Sequence, residues 1–296
     1  MKTAKSAIFV LSGLFLVFAF LSGLPVAAQK TKKPVIPVGP LLTRTVTRHE
    51  SRRFFYAGTV TVAGAPNGSI TVEGWQRNEV EITAEIELHA VTEEDLSRLA
   101  TVNNFVIDED RNHIRVITTG THDRTFMKRA AKDFPKSLIG LPWKIDYHIK
   151  VPAMTDLEVN GGIGPTRLTG VEGVIRLNAL QTDATLSLTG GLVSVIVQSG
   201  TVNVTIPVLG WHGLGADIKL ASGNLKVGLM PGFSGDINAD VLGTGEVKNT
   251  FPNLEPRERN SITPRSLRAR AGNGGATLTF TVSAGAIQIE QASSKQ

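Results

Sequence analysis

The sequence predicts an all-β fold, a β-solenoid (β-helix-like) of short Gly-punctuated strands with a small helical insertion. Three observations point there. Between Asp156 and Thr250, runs such as Ile175-Arg176-Leu177-Asn178-Ala179 and Val202-Asn203-Val204-Thr205-Ile206 alternate apolar and polar residues. Side chains alternate faces along a strand, so each run presents one apolar and one polar face. Glycine then cuts these runs roughly every ten residues, which is the spacing of turns in repeated β structure. Finally, the stretch holds only two aromatics, Trp211 and Phe233. Aliphatic residues must therefore fill the core by stacking on like residues one coil away. A β-sandwich fits the same turn rhythm, but it would call for longer strands and aromatic anchors. With two strand-and-turn units to a coil of roughly 20 residues, the stretch holds about five coils.

Composition sets limits on the chemistry. Of 296 residues, none is cysteine, so disulfides, thiol nucleophiles and thiolate metal sites are excluded. The formal net charge of +5 permits attraction to anionic polymers without demanding it.

Taken in order, residues 1–28 read as a signal peptide. Lys2 and Lys5 precede the apolar run Ala7 to Leu24, and Val26-Ala27-Ala28 supplies small residues for cleavage after Ala28. This predicts an extracytoplasmic protein (periplasm, cell envelope or secreted), with membrane anchoring only if the segment is uncleaved. Residues 29–53 read as a Pro/Lys-rich linker, extended because proline disfavours helix in itself and its predecessor. A single domain is expected over 54–291, followed by a disordered tail, 292–296.

Within the domain, Thr59 to Val62 and Ser69 to Val72 flank the turn Pro66-Asn67-Gly68. Val80 to Leu88 alternates most cleanly. A short helix follows, with Thr92 as its cap and Asp95 answering it. Phe105 to Ile107 and Ile114 to Val116 form a hairpin around Asp108 to Asn112. Thr118 to Lys144 then breaks the β pattern. It carries Arg124, Lys128, Arg129, Lys132, Lys136 and Lys144, and Phe126, Met127, Ala130 and Ala131 line one side of a short helix ending before Pro135. Its functional reading is a basic contact arm; its bland reading is a solvated loop. Glu255 to Arg270, with Arg257, Arg259, Arg265, Arg268 and Arg270 among prolines, reads as a mobile loop. Thr277 to Val282 and Ala286 to Ile289 close the domain.

Several stretches resemble the bacterial putative-adhesin domains, an adhesin-like family of unknown function whose repeats stack as a β-solenoid. They are Gly68 to Trp75 with Glu79 to Ile82, Val151-Pro152-Ala153 before Leu157-Glu158-Val159, the Gly-punctuated repeats, Met230 to Ile237, and Gly274 to Ile289. The resemblance implies an exported, non-enzymatic surface or envelope module.

The residues themselves offer little catalytic chemistry. Gly162-Ile163-Gly164, Gly243-Thr244-Gly245 and Gly272-Asn273-Gly274 lack the strand–helix context of nucleotide loops. Asp108, Asp110 and Asn112 begin like a calcium loop, but His113 stands where such a loop needs glycine. The histidines show no zinc-binding pair. A polysaccharide lyase or glycosidase on a β-helix is the alternative; it needs acids clustered on one face, and Asp183, Asp217, Asp236 and Asp240 are scattered. Aromatics do not interleave with the basic residues, which argues against nucleic acid. The expected function is thus binding of an anionic envelope polymer or a partner protein, with no cofactor and no metal. The contact candidates are Arg124, Lys128, Arg129, Lys132, Arg265, Arg268 and Arg270.

Overall fold

The structure, a computed structural model, describes residues 40–54, 57–258 and 262–292. The segment read as a signal peptide, most of the linker and nearly all of the tail lie outside the described residues. The first elements are β1 (Leu42–Arg53), β2 (Thr59–Asn67), β3 (Ile70–Trp75), β4 (Glu79–Ala90), α1 (Glu93–Val102), β5 (Asn104–Asp110) and β6 (His113–Thr119). The insertion holds α2 (Arg124–Ala130) and a 3-10 turn, Lys136–Leu138. Then come β7 (Trp143–Pro152), β8 (Asp156–Ile163), β9 (Thr166–Thr169), β10 (Val174–Ser187), β11 (Gly190–Ile206) and β12 (His212–Leu229). The C-terminal part adds β13 (Gly235–Val241), β14 (Val247–Asn249), β15 (Leu254–Pro256), β16 (Ile262–Thr263), β17 (Ser266–Ala271) and β18 (Thr277–Gln291). Among the described residues, all 18 strands belong to one sheet.

Two rows of buried side chains run through this sheet. One passes from Ile114 through Val60, Leu157, Ile175, Val193, Ala216 and Leu278 to Ile237, strand beside parallel strand. The other passes from Ile149 through Val72, Leu168, Leu186, Val204 and Val227 to Ile289. Each of these residues is buried, and all belong to one hydrophobic cluster. The rows follow from period-2 alternation, since every second side chain in each strand meets its neighbour on the same face. From Leu157 to Ile175, Val193 and Ala216 the register advances by roughly 20 residues a step, close to the sequence rhythm, while the other steps join segments far apart in the chain.

Three expectations need correction. The repeats do not break into separate strands of a few residues; β10, β11, β12 and β18 run for 14, 17, 18 and 15 residues and contribute to both rows. They pass through their glycines rather than ending there. Gly200, Gly223 and Gly285 stack in register at positive φ, so the ladder continues across the bend. Secondly, Leu42–Arg53, assigned to the linker, is a strand that pairs antiparallel with β4 along its whole length. Thirdly, part of the supposed mobile Arg-rich loop is β17, paired antiparallel with β13.

The layers also depart from chain order. β2 lies between β6 and β8, and β3 between β7 and β9. β18, the last strand, lies between β12 and β13. The C-terminal segment is therefore an inner layer, and β13 with β17 covers it.

Smaller readings hold in detail. Thr92 caps α1 by accepting the Asp95 backbone N–H at 3.1 Å, and its hydroxyl donates to the Asp95 carboxylate at 2.8 Å. The β5–β6 hairpin forms as expected with a tighter turn, Arg111-Asn112, since Asp108 to Asp110 pair within β5, where Arg115 bridges Asp108 and Asp110.

Candidate functional site

The insertion is rooted in the core. Asn103, the fully buried C-cap of α1, accepts the Thr121 N–H at 2.9 Å and lies 3.3 Å from the Thr121 hydroxyl. Gly120 fits between Asn103 and Trp143, where a Cβ would stand 2.4 Å from the Asn103 Oδ1. The His122 ring tilts over Trp143 with centroids 5.4 Å apart. Partial burial of that ring lowers its pKa, while Asp123 pulls the other way.

From this root, Asp123 starts α2 by accepting the N–H groups of Thr125 and Phe126 at 2.8 and 3.0 Å. On α2, Arg124, Met127 and Lys128 fall at i, i+3 and i+4 and share one face, and Ala131 caps the helix with non-helical backbone. The chain returns past Phe134 and the turn at Lys136, and Leu138 and Leu141 anchor it by burial. Between the helix face and the return lies a cleft of about 380 Å³. Its apolar lining is Met127, Ala131, Phe134 and Ile139. Met127 is buried, whereas Ile139 is 46% exposed.

The polar lining is of one sign. Arg124, Lys128, Lys132 and Lys136 border the cleft and are all exposed. Among the described residues, no carboxylate lies within 4 Å of any of these four or of Arg129. Of the four sequence candidates in this arm, Arg124, Lys128 and Lys132 are brought together at the cleft. Arg129 is exposed and does not line it. Lys144 leaves the arm altogether, since it sits on β7 within 3.3 Å of both Glu87 and Asp146, which raise its pKa.

The second candidate set has other partners. Arg270 lies directly across from Asp236 in the β13–β17 register and binds its carboxylate at 2.9 Å. Arg257 approaches the same carboxylate at 3.9 Å. Arg268 lies 2.8 Å from Asp240, and Arg265 donates to the Gly243 carbonyl at 3.1 Å. Arg268 and Arg270 thus join β17 to β13, so two of the three candidates in this set carry charges already answered by carboxylates.

A pH dependence follows from this pairing. The Arg270 hydrogen bond, with Arg257 adding its charge, holds the Asp236 carboxyl below the ordinary carboxylate range. A pKa lower in the folded than in the unfolded state stabilises the fold above the unfolded value of about 3.9, and that contribution fades as pH falls through the folded value. Amides of β17 are therefore expected to lose exchange protection below about pH 4, after correction for intrinsic exchange. Asp236→Asn should show less protection at neutral pH and a weaker acid response; an unchanged acid response would show that the pair does not hold β17 in place.

Other clefts carry less charge. One of about 390 Å³ crosses β8, β10 and β11, with His122 at its edge and Asn178 donating to Asn160 at 3.0 Å. Another, beside Leu192 and Leu214, contains Asp217, whose carboxylate holds Lys219 at 2.6 Å. A third includes Glu109 and Asp110, but adjacent strand residues point to opposite faces, unlike a hydrolase pair. Among the described residues, no group of three or more His, Asp or Glu side chains is arranged to hold a metal ion.

The sequence had named the cations of the arm but not the apolar cleft between them. The available signal was Phe134 and Ile139 on either side of Pro135 and Lys136, in a segment whose other large apolar residues, Leu138 and Leu141, are buried.

No family model matches the chain, and no curated protein matches it. Solved structures that are similar at low score include two bacterial proteins. One is a putative cell adhesion protein from Clostridium sporogenes ATCC 15579, 11% identical with a TM-score of 0.36, the alignment covering 83% of this chain and 100% of that one. The other is a putative adhesin from Bacteroides fragilis NCTC 9343, 9% identical with a TM-score of 0.28, covering 84% of this chain and 97% of that one. Neither likeness assigns a function to this chain.

Proposed function

We propose that the protein is an exported, non-catalytic, adhesin-like module of the bacterial envelope or surface. In this reading its stacked layers form a solenoid scaffold, and the arm at residues 121–139 contacts an anionic polymer. The observation that carries the reading is the charge asymmetry between the two basic segments. Arg268 and Arg270 face carboxylates of β13, while Arg124, Lys128 and Lys132 have none within 4 Å among the described residues. An exposed cluster of one sign, gathered on a rooted arm, retains its field for a partner. No cofactor or metal enters the proposal.

The test is retention on isolated envelope material and on immobilised dextran sulfate across a salt series. Each cation near an anionic surface contributes at most about 1 kcal/mol, screened within roughly 10 Å at 0.1 M salt. An Arg124→Gln, Lys128→Gln, Lys132→Gln variant should lose up to about 100-fold in affinity at low salt with little change in thermal stability. Arg265→Gln, Arg268→Gln, Arg270→Gln should do the reverse, with retention largely kept and stability lowered. Salt-independent retention, or equal retention of both variants and the parent, would reject the arm as the contact surface.

A further inference from the structure

We infer that the arm also binds a second kind of anion, a single-chain amphiphile with a phosphate or carboxylate head, whose alkyl chain enters the cleft between α2 and residues 134–139. The inference rests on the reading of the arm as a contact surface for anions and goes beyond it, since this ligand is a small molecule rather than the polymer.

Charge alone does not account for the shape of this site. A surface that met only a polyanion would need the cations but not an apolar lining between them. Here the cations instead border a concavity of about 380 Å³. That lies within the range of roughly 300–1,000 Å³ typical of small-molecule sites. Its apolar lining runs from Met127, 8% exposed, outward to Ile139, 46% exposed. An alkyl chain could lie along that gradient, and its head would then meet lysine and arginine side chains that have no carboxylate of their own among the described residues.

The order of the lining explains why one molecule would satisfy both halves. Met127 and Lys128 on α2 both line the cleft, and Ala131, the non-helical C-cap, and Lys132 continue the apolar–cationic order just beyond the helix. Lysine stems are themselves apolar and extend such a lining before presenting their charge. Ala131 matters through its small size, because a large side chain there would occupy the space a ligand needs. The rooting of the arm through Asn103 and Gly120 means the cleft is held by the core rather than formed only on binding.

The partner is taken to be a soluble amphiphile rather than a bilayer. A concave site with its deepest apolar residue buried receives a chain, whereas membrane insertion calls for apolar side chains that project outward.

Calorimetry on the full chain tests this with butyl phosphate, octyl phosphate, inorganic phosphate and octyltrimethylammonium, all below their micellar concentrations. Affinity should rise by up to about fourfold for each CH2 that is fully buried. Octyl phosphate is therefore expected to bind at least about tenfold more tightly than butyl phosphate, with inorganic phosphate and the cationic analogue showing negligible binding. Ala131→Phe, which fills the cleft and leaves every charge in place, should abolish the chain-length dependence while retention on dextran sulfate persists. Ile139→Ser, at an exposed position that should tolerate substitution, is expected to reduce that dependence.

Equal affinity for butyl and octyl phosphate would overturn the inference, and so would an octyl phosphate affinity unchanged by both variants. Binding only to vesicles of phosphatidylglycerol and phosphatidylcholine, with no free octyl phosphate bound, would also overturn it. Dextran sulfate separates the two levels. Retention on it together with chain-length-independent phosphate binding rejects the amphiphile and leaves the contact surface standing; loss of both rejects the arm as a whole.

Discussion

Gly223→Ala is expected to destabilise the protein by more than about 3 kcal/mol and to prevent stable folding if the parent is only marginally stable. Gly223 lies within β12 at φ +134°, a conformation that an L-residue rarely adopts. The added Cβ would also stand 1.8 Å from the carbonyl oxygen of Gly200 in the layer beside it. That obstacle is backbone in a paired strand, so no side-chain rotation relieves it. The same contact recurs in the next layer, where a Cβ on Gly285 would stand 1.7 Å from the Gly223 carbonyl oxygen. Thermal unfolding of Gly223→Ala beside Gly140→Ala is the measurement. Gly140 also has positive φ, +101°, but nothing lies within 4 Å of its added Cβ. Gly140→Ala should therefore show only the conformational cost, of order 1 kcal/mol. Equal melting temperatures would mean that the stacked bend does not close as tightly as the register requires.

Val204→Asp is the second large effect. Val204 is 2% exposed, paired between Leu186 and Val227 in the second buried row. A carboxylate there has apolar neighbours on both sides along the row and must either stay charged without a partner or take up a proton. A loss of at least about 4 kcal/mol is expected, which for a domain of this size lowers the melting temperature by roughly 8–16 °C. Asn203→Asp, one residue earlier on the half-exposed opposite face, should shift it by no more than a degree or two. Similar melting temperatures for the two variants would show the register to be off by one residue, since a one-residue slip exchanges the two faces.

These expectations show what alternation makes legible. Leu188, Val195, Val204, Leu220 and Val227 read as inward-facing and are buried, while Lys219 and Lys226 between them are exposed. Stacked glycines at the bends were likewise visible in their spacing. β1 was not: Leu42–Arg53 carries only Leu42 and Val46 as apolar residues on its inner face. As a strand that among the described residues pairs only with β4, it is held largely by backbone hydrogen bonds and polar contacts that leave no apolar rhythm. β17 did have a rhythm, with Leu267, Ala269 and Ala271 buried beneath Ser266, Arg268 and Arg270. Its small alanines and dense charge made the segment look like solvated loop. The arm's cations were legible as a cluster, yet the cleft beside them depends on a fold-back of the chain at Pro135 that only packing can set.

The sequence by itself determined which residues face inward, where the strands bend, and that an irregular basic segment interrupts them. Those properties are local, set by side-chain period and by the φ range open to glycine. The tertiary structure decided which strand lies beside which: β18 between β12 and β13, β2 between β6 and β8, and β17 against β13. Strand neighbours can be far apart in the chain, and many pairings satisfy the same alternation. That choice places carboxylates opposite Arg270 and near Arg268 but not near Arg124, Lys128 or Lys132. One basic segment thereby joins strands, and the other is left with its charge facing solvent.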